Sequence, residues 1–190
     1  MGGFIAVEGL DGVGKSTVVQ QLAGCFSGYA MSTPGPALRE CRQAVLEAFA
    51  DDELAKALFY AASVSSQGRQ ARKQAERGEW VFMDRYWAST IAYARARGVT
   101  ADIEPLSQSL IQPDLTVLLL LDESERQRRL HARGTTVEDL ETLDPVFRQC
   151  ALDELQARAD LVIDITGLTV AEVATSVSGA IRANWPRTVA

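Results

Sequence analysis

Short apolar runs and longer stretches of helical periodicity alternate along the chain. Phe4 to Val7 is the first run, and GYAMST (28–33) is a weaker second. EWVFMD (79–84), DLTVLLLLD (114–122) and DLVIDI (160–165) are stronger, and each ends near an acidic residue. Between them lie helical patterns in VVQQLAG (18–24), Leu38 to Phe49, Leu54 to Arg77 and Val170 to Asn184. Strands joined by helices of this length need right-handed crossovers, and their nearly continuous apolar character fits a parallel sheet covered on both faces. The pattern therefore predicts an α/β fold. In such sheets ligands sit beyond the carboxyl ends of the strands. That rule gathers the loop after the first strand, Asp84-Arg85 and Asp122 at one rim. No repeat, linker or low-complexity segment interrupts the chain, so 1–190 reads as a single domain.

Composition narrows the partners more than the fold. The chain has 190 residues, of which 47% are hydrophobic and 23% charged, an ordinary globular balance with room for a substantial core. A net charge of -6 argues against a nucleic-acid-binding surface, although a focused basic pocket needs only a few cations. The longest apolar run, LTVLLLL, is too short to cross a membrane, and no charged-then-apolar leader opens the sequence. Cys25, Cys41 and Cys150 have no metal-ligand spacing and read as reduced, partly buried thiols of a cytoplasmic protein. The single histidine, His131, lies among arginines in RRLHARG and reads as a solvated or capping residue rather than a general base.

The chemistry begins at EGLDGVGKST, residues 8 to 17. Gly9, Gly14, Lys15 and Ser16 satisfy G-x-x-x-x-G-K-[ST] between a strand and a helix. Gly9, Gly12 and Gly14 let the backbone turn so that successive N–H groups, including that of Val13, converge on an anion, and the helix N-terminus points its dipole at the same place. Lys15 neutralises the terminal phosphates, while Ser16, with Thr17 beside it, offers a hydroxyl to Mg²⁺. This is a P-loop, a nucleoside triphosphate site. The next informative stretch is DRYWASTIAYARARG (84–98). Asp84 closes a strand and Arg85 follows, which puts a carboxylate and a phosphate-gripping guanidinium on the same rim. A capping aspartate beside a surface arginine is the plainer alternative.

With EGLDGVGKST, ALFYAAS, DRYWAST…AY, QPDLTVLLLLD, RRLHARG and the closing IDITG in this order, the chain resembles the thymidylate kinases over almost its whole length. The resemblance implies a P-loop NTPase fold with a five-stranded parallel sheet flanked by helices, a short mobile lid and, usually, a homodimer. It implies transfer of a phosphoryl group from ATP, with Mg²⁺, to a pyrimidine deoxynucleoside monophosphate, foremost dTMP. Residue by residue, Gly9, Gly12, Val13, Gly14, Lys15, Ser16 and Thr17 would cradle ATP, with Arg129 and Arg133 on the donor side. Ser16 and Asp84 would serve the metal. Asp11 and Arg85 would meet the acceptor phosphate, Phe59 would stack on its base, and Thr90 and Tyr93 would flank base and sugar. Residues 134–146, GTTVEDLETLDPV, would form the lid.

Three departures from the family pattern bear on the acceptor and the lid. Where the family carries a base-reading arginine after FYAA, this chain has Ser63, which leaves dTMP and other pyrimidine monophosphates both open unless Arg69 or Arg72 substitutes. The family's Arg-Glu-Pro-Gly becomes STPGP, with Ser32 and Thr33 at the first two positions; Arg39 or Arg42 is the alternative phosphate contact, although a helix-surface arginine is the plainer reading of either. Gly12 follows Asp11, and 134–147 holds no Arg or Lys but carries Glu138, Asp139, Glu141 and Asp144. A transition-state cation must then come from Arg133 or Arg148; otherwise the chain is a weakly active ATP-binding relative.

Overall fold

A computed structural model describes residues 2–185, except the side chains of Val137 and Glu138. Strand β1 (Gly3–Glu8) is buried along its whole length, which requires cover on both faces. Its side chains alternate accordingly. Ile5 and Val7 belong to one core cluster with Val18, Val19 and Leu22, whereas Phe4 and Ala6 belong to the other with Ala57, Ala61 and Val64. The first cluster packs under helices α1 (Lys15–Cys25), α7 (Pro145–Gln156) and α8 (Val170–Asn184). The second packs under α3 (Glu53–Ala75) and α4 (Trp87–Ala96).

Strands β2 (Tyr29–Ser32), β3 (Trp80–Asp84), β4 (Leu115–Leu120) and β5 (Leu161–Asp164) complete a five-stranded parallel sheet in the order β2-β3-β1-β4-β5. Chain direction across the sheet reverses around β1, so the loops after β1 and β3 part and open a crevice at the carboxyl edge. Val7 pairs with Asp84 in register, which sets the P-loop beside Arg85. All five expected strands are present; the first is one residue longer at each end than expected, and the other four are shorter. The fourth ends at Leu120, and Asp122, two residues past it at the expected rim, accepts the Glu125 N–H and caps α5 (Glu123–Arg133).

The expected lid is not a bare loop. Residues 134–146 contain a short helix, α6 (Val137–Leu143), opened by a capping box between Thr136 and Asp139. Asp144 then accepts from Phe147 N–H, and Pro145 starts α7 in the first-turn position that tolerates proline. Cys25 and Cys41 are exposed rather than partly buried, and Cys150 is half-buried.

Candidate active site

The loop after β1 enters α1 without any side-chain cap. Gly14 holds the N-cap position at φ 95°, and no serine, threonine or carboxylate accepts from the first turn. Those N–H groups are left pointing outward, as an anion site requires. Gly12, at φ 89°, is the tightest point: a Cβ there would meet Leu130 Cδ2 at 2.8 Å. Lys15 is buried and donates to the Leu10 carbonyl at 2.8 Å. Burial first, then repulsion from Arg85, brings its ammonium down to about 8, against a usual value of 10.5. Ser16 donates to an Asp84 carboxylate oxygen, so the metal-binding pair expected from sequence is in contact.

Arg85 follows β3 in the left-handed region, at φ 64°, with its N–H bound to the Val7 carbonyl. Its Nη2 donates to Asp11 Oδ1 at 2.6 Å and to Tyr93 Oη at 3.3 Å, and its Nη1 to Ser89 Oγ at 3.0 Å. Tyr93 in turn donates to Asp11 Oδ2 at 2.9 Å. Burial disfavours the Asp11 carboxylate, but the Arg85 and Lys15 cations outweigh it and hold the group well below the usual carboxylate range. Burial pushes the Tyr93 phenol upward, so it stays a neutral donor.

Two cavities meet here. The larger, about 1140 Å³, is lined by the loop from Asp11 to Thr17 together with Asp84, Arg129 and Arg133. Gly9 shapes the turn but does not line it. Arg129 is anchored by Glu125 at 2.5 Å and reaches the Val13 carbonyl at 3.2 Å. The smaller cavity, about 360 Å³, is lined by Ser89, Thr90 and Tyr93 from α4, Ala57 and Tyr60 from α3, and Arg97. Asp11, Thr33, Pro34, Arg39, Arg85 and Arg133 line both. Three guanidiniums thus surround the passage between the two spaces.

Two expected acceptor residues are elsewhere. Ser63 is fully buried, lines neither cavity, and its Oγ has no hydrogen-bond partner. Phe59 lines neither cavity; its ring lies edge-on against Tyr60 at 5.3 Å, and Tyr60 is the aromatic that faces the smaller space. One residue along a helix is a rotation of about 100°, enough to exchange the two. Arg69 and Arg72 do not substitute for a base reader: the first bonds Ser65, and the second pairs with Asp114 and the Gln112 carbonyl. Arg39 does reach the site, contrary to its reading as a surface residue, and bonds the Ser32 hydroxyl. Arg42 donates to Tyr60 Oη at 2.8 Å.

The lid acids are committed to structure. Asp139 is buried and pairs with Arg133 at 2.5 Å, while Glu141 pairs with Arg97 at 2.6 Å. Glu138 lies outside the described side chains. Arg148 pairs with Glu123 and donates to the Leu143 carbonyl, and it lines neither cavity. Sequence reading missed Arg126 altogether. It is 1% exposed and joins three elements, donating to the Asp11 carbonyl, Thr142 and Glu123.

A P-loop cavity that opens through three arginines into a second, aromatic-walled pocket defines a phosphotransferase acting between a nucleoside triphosphate and a smaller phosphorylated acceptor. The thymidylate kinase family model matches residues 7–177. A probable thymidylate kinase of Pyrobaculum calidifontis is 35% identical over 92% of this chain and 93% of its own length. A thymidylate kinase of Parasynechococcus marenigrum is 32% identical over 84% and 85%. Among solved structures, thymidylate kinase from Candida albicans superposes with a TM-score of 0.78 at 26% identity, covering 96% of this chain and 92% of that one. The chain belongs to the thymidylate kinase family, the ATP-dependent nucleoside monophosphate kinases that phosphorylate dTMP to dTDP.

Proposed function

We propose that the large cavity binds ATP, the small one binds dTMP, and Arg85 holds the acceptor phosphate between them. The single observation that carries this assignment is the set of residues common to both cavities, with Arg85 fixed there by Asp11 and Tyr93. An oxygen of the acceptor phosphate attacks the γ-phosphorus of ATP, the bond to the bridging oxygen breaks, and ADP leaves. The acceptor phosphate has its second ionisation near about 6 and needs no base at neutral pH. Asp11 therefore orients Arg85 rather than taking a proton. Gly12, Val13, Gly14, Lys15 and Thr17 cradle the donor phosphates, Arg129 braces the loop, and Arg133 supplies the mobile cation.

Ser16 and Asp84 present an oxygen pair that suits Mg²⁺, which commonly takes one or two protein oxygens and completes its shell with phosphate and water. When bound, the ion would offset charge on the triphosphate oxygens. Closure of 134–146 over the cavities excludes water, the competing acceptor. With Ser63 in the core, selection of the base falls to Tyr60, Thr90 and the arginines around them. The single-domain organisation, a homodimer and a cytoplasmic setting belong to the same reading, supported by the family. No helix among the described residues is long and apolar enough to cross a membrane. The test is a coupled ADP-release assay with ATP and Mg²⁺ against dTMP, dUMP, dCMP, CMP, UMP and AMP. Preference for dTMP is expected; preference for another base, or no turnover with any, overturns the assignment.

A further inference from the structure

We infer that Glu8, which lines neither of the two cavities, is a positioning residue for Arg85 and acts through the hydroxyl of Ser89. The inference rests on the reading of Arg85 as the acceptor-phosphate residue. Glu8 ends β1 and is fully buried, so its carboxylate must find protein donors. It finds them at the start of α4. Oε1 accepts from the Tyr86 N–H at 2.9 Å and the Ser89 N–H at 3.3 Å, and Oε2 accepts from the Ser89 hydroxyl. Helix α4 has no side-chain cap of its own, and Glu8 supplies one from the neighbouring strand.

The direction of these hydrogen bonds reaches Arg85. Burial pushes the Glu8 carboxyl up, opposed by the Ser89 hydroxyl, the Arg85 cation and the two backbone N–H groups; in its ionised form it only accepts, and the single Ser89 hydroxyl proton then points at Glu8. The hydroxyl lone pairs are then free for Arg85 Nη1, a donor only, at 3.0 Å. Asp11 and Tyr93 hold the other terminal nitrogen. The guanidinium is thereby fixed from two sides, on a residue whose backbone is itself left-handed. A phosphate meets a fork already oriented, with no reorganisation left for the binding step.

Glutamine in place of Glu8 separates this role from packing. The two backbone N–H groups require the amide oxygen at the Oε1 position, which places the NH₂ against Ser89. The hydroxyl must then accept, and its proton turns toward Arg85, donor against donor. An isosteric change thus disorients Arg85 without creating a void.

The experiment measures KM and kcat for dTMP and ATP in Glu8→Gln, Ser89→Ala, Arg85→Ala and the Ser89→Ala/Arg85→Ala double variant, with melting temperatures alongside. Glu8→Gln and Ser89→Ala are each expected to raise the dTMP KM about tenfold, the cost of one lost hydrogen bond to a charged group. The ATP KM should move by less than about twofold. Adding Ser89→Ala to Arg85→Ala should have no further effect on dTMP, because Ser89 acts only through Arg85. The inference is overturned if Arg85→Ala weakens dTMP while the other two variants do not, if dTMP and ATP suffer alike, or if the two effects multiply in the double variant. If Arg85→Ala itself leaves the dTMP KM unchanged, the assignment of Arg85 fails first and takes this inference with it. Should Glu8→Gln not fold, Ser89→Ala and the cycle decide alone, since alanine keeps the backbone N–H that Glu8 caps.

Discussion

ATP binding should draw a proton from solvent at mildly alkaline pH, and Lys15 is the group that takes it up. In the unliganded protein Lys15 is buried, bonded to one carbonyl and repelled by Arg85, and its ammonium titrates at about 8. A polyphosphate beside it reverses that balance, because opposite charge within a few ångströms favours the protonated form. Full protonation in the complex then implies uptake of about 0.1 proton per ATP at pH 7, about 0.5 at pH 8 and about 0.9 at pH 9. The same linkage weakens affinity about tenfold between pH 7 and pH 9. The nucleotide's own phosphates, with second ionisations at about 6, can offset the small uptake at pH 7 but are silent from pH 8 upward. Calorimetry of a non-hydrolysable ATP analogue, in two buffers of different ionisation enthalpy at fixed Mg²⁺, reads the uptake directly. Lys15→Arg is the control, since a guanidinium keeps its charge throughout and should give a flat profile. Wild type without uptake at pH 8.5, or Lys15→Arg with undiminished uptake, would refute the assignment.

The folded state carries the cost of that arrangement. Holding the Lys15 ammonium at about 8 instead of 10.5 costs about 3 kcal/mol at neutral pH. The folded pKa is the lower one, so the unfolded chain binds more protons between about 8 and 10.5, and the penalty lifts as pH rises through that window.

Three substitutions probe the rest of the framework. Arg126→Met should destabilise the protein by about 3 kcal/mol in chemical denaturation, because it strands the Asp11 and Thr142 carbonyls that the guanidinium joins; a loss under 1 kcal/mol would mean those contacts contribute little. Ser63→Ala should be neutral or stabilising by up to about 1 kcal/mol, since it removes a buried hydroxyl with no partner, and the order of preference among monophosphates should not change. Gly68→Ala should cost about 1–3 kcal/mol, because the new methyl would lie 2.0 Å from the Tyr86 hydroxyl, which is tied to the Ile111 carbonyl; an unchanged melting temperature would show that Tyr86 shifts freely.

The phosphate-loop half of the candidate site was legible in the sequence and the second cavity only in part, and the difference is geometric. Phosphate binding by a P-loop is encoded in one unbroken strand–loop–helix segment whose backbone does most of the work, so the residue pattern and the structure are nearly the same statement. Arg85 was equally readable, because it directly follows a strand in register with β1. The proposed acceptor pocket is instead assembled from one face each of α3 and α4, the loop after β2 and the entry to α6. Along a helix, a one-residue displacement turns a side chain by about 100°, and nothing local distinguishes Phe59 from Tyr60 or shows that Ser63 points into the core. Arg126 was hidden by its surroundings: in ESERQRRLHAR every pattern argument makes it a solvated charge. Only the folded chain reveals that α6 and the P-loop both turn their carbonyls toward it. The acidic lid is the same case in reverse. Read as a string, its carboxylates argue against catalysis beside a triphosphate. In the structure Asp139, Glu141 and Asp144 are occupied by Arg133, Arg97 and the α7 N-terminus, so their charge is offset within the fold. Arg133 remains the lid-side cation on both cavities, half exposed and, among the described side chains, paired with Asp139, which a bound triphosphate can outcompete.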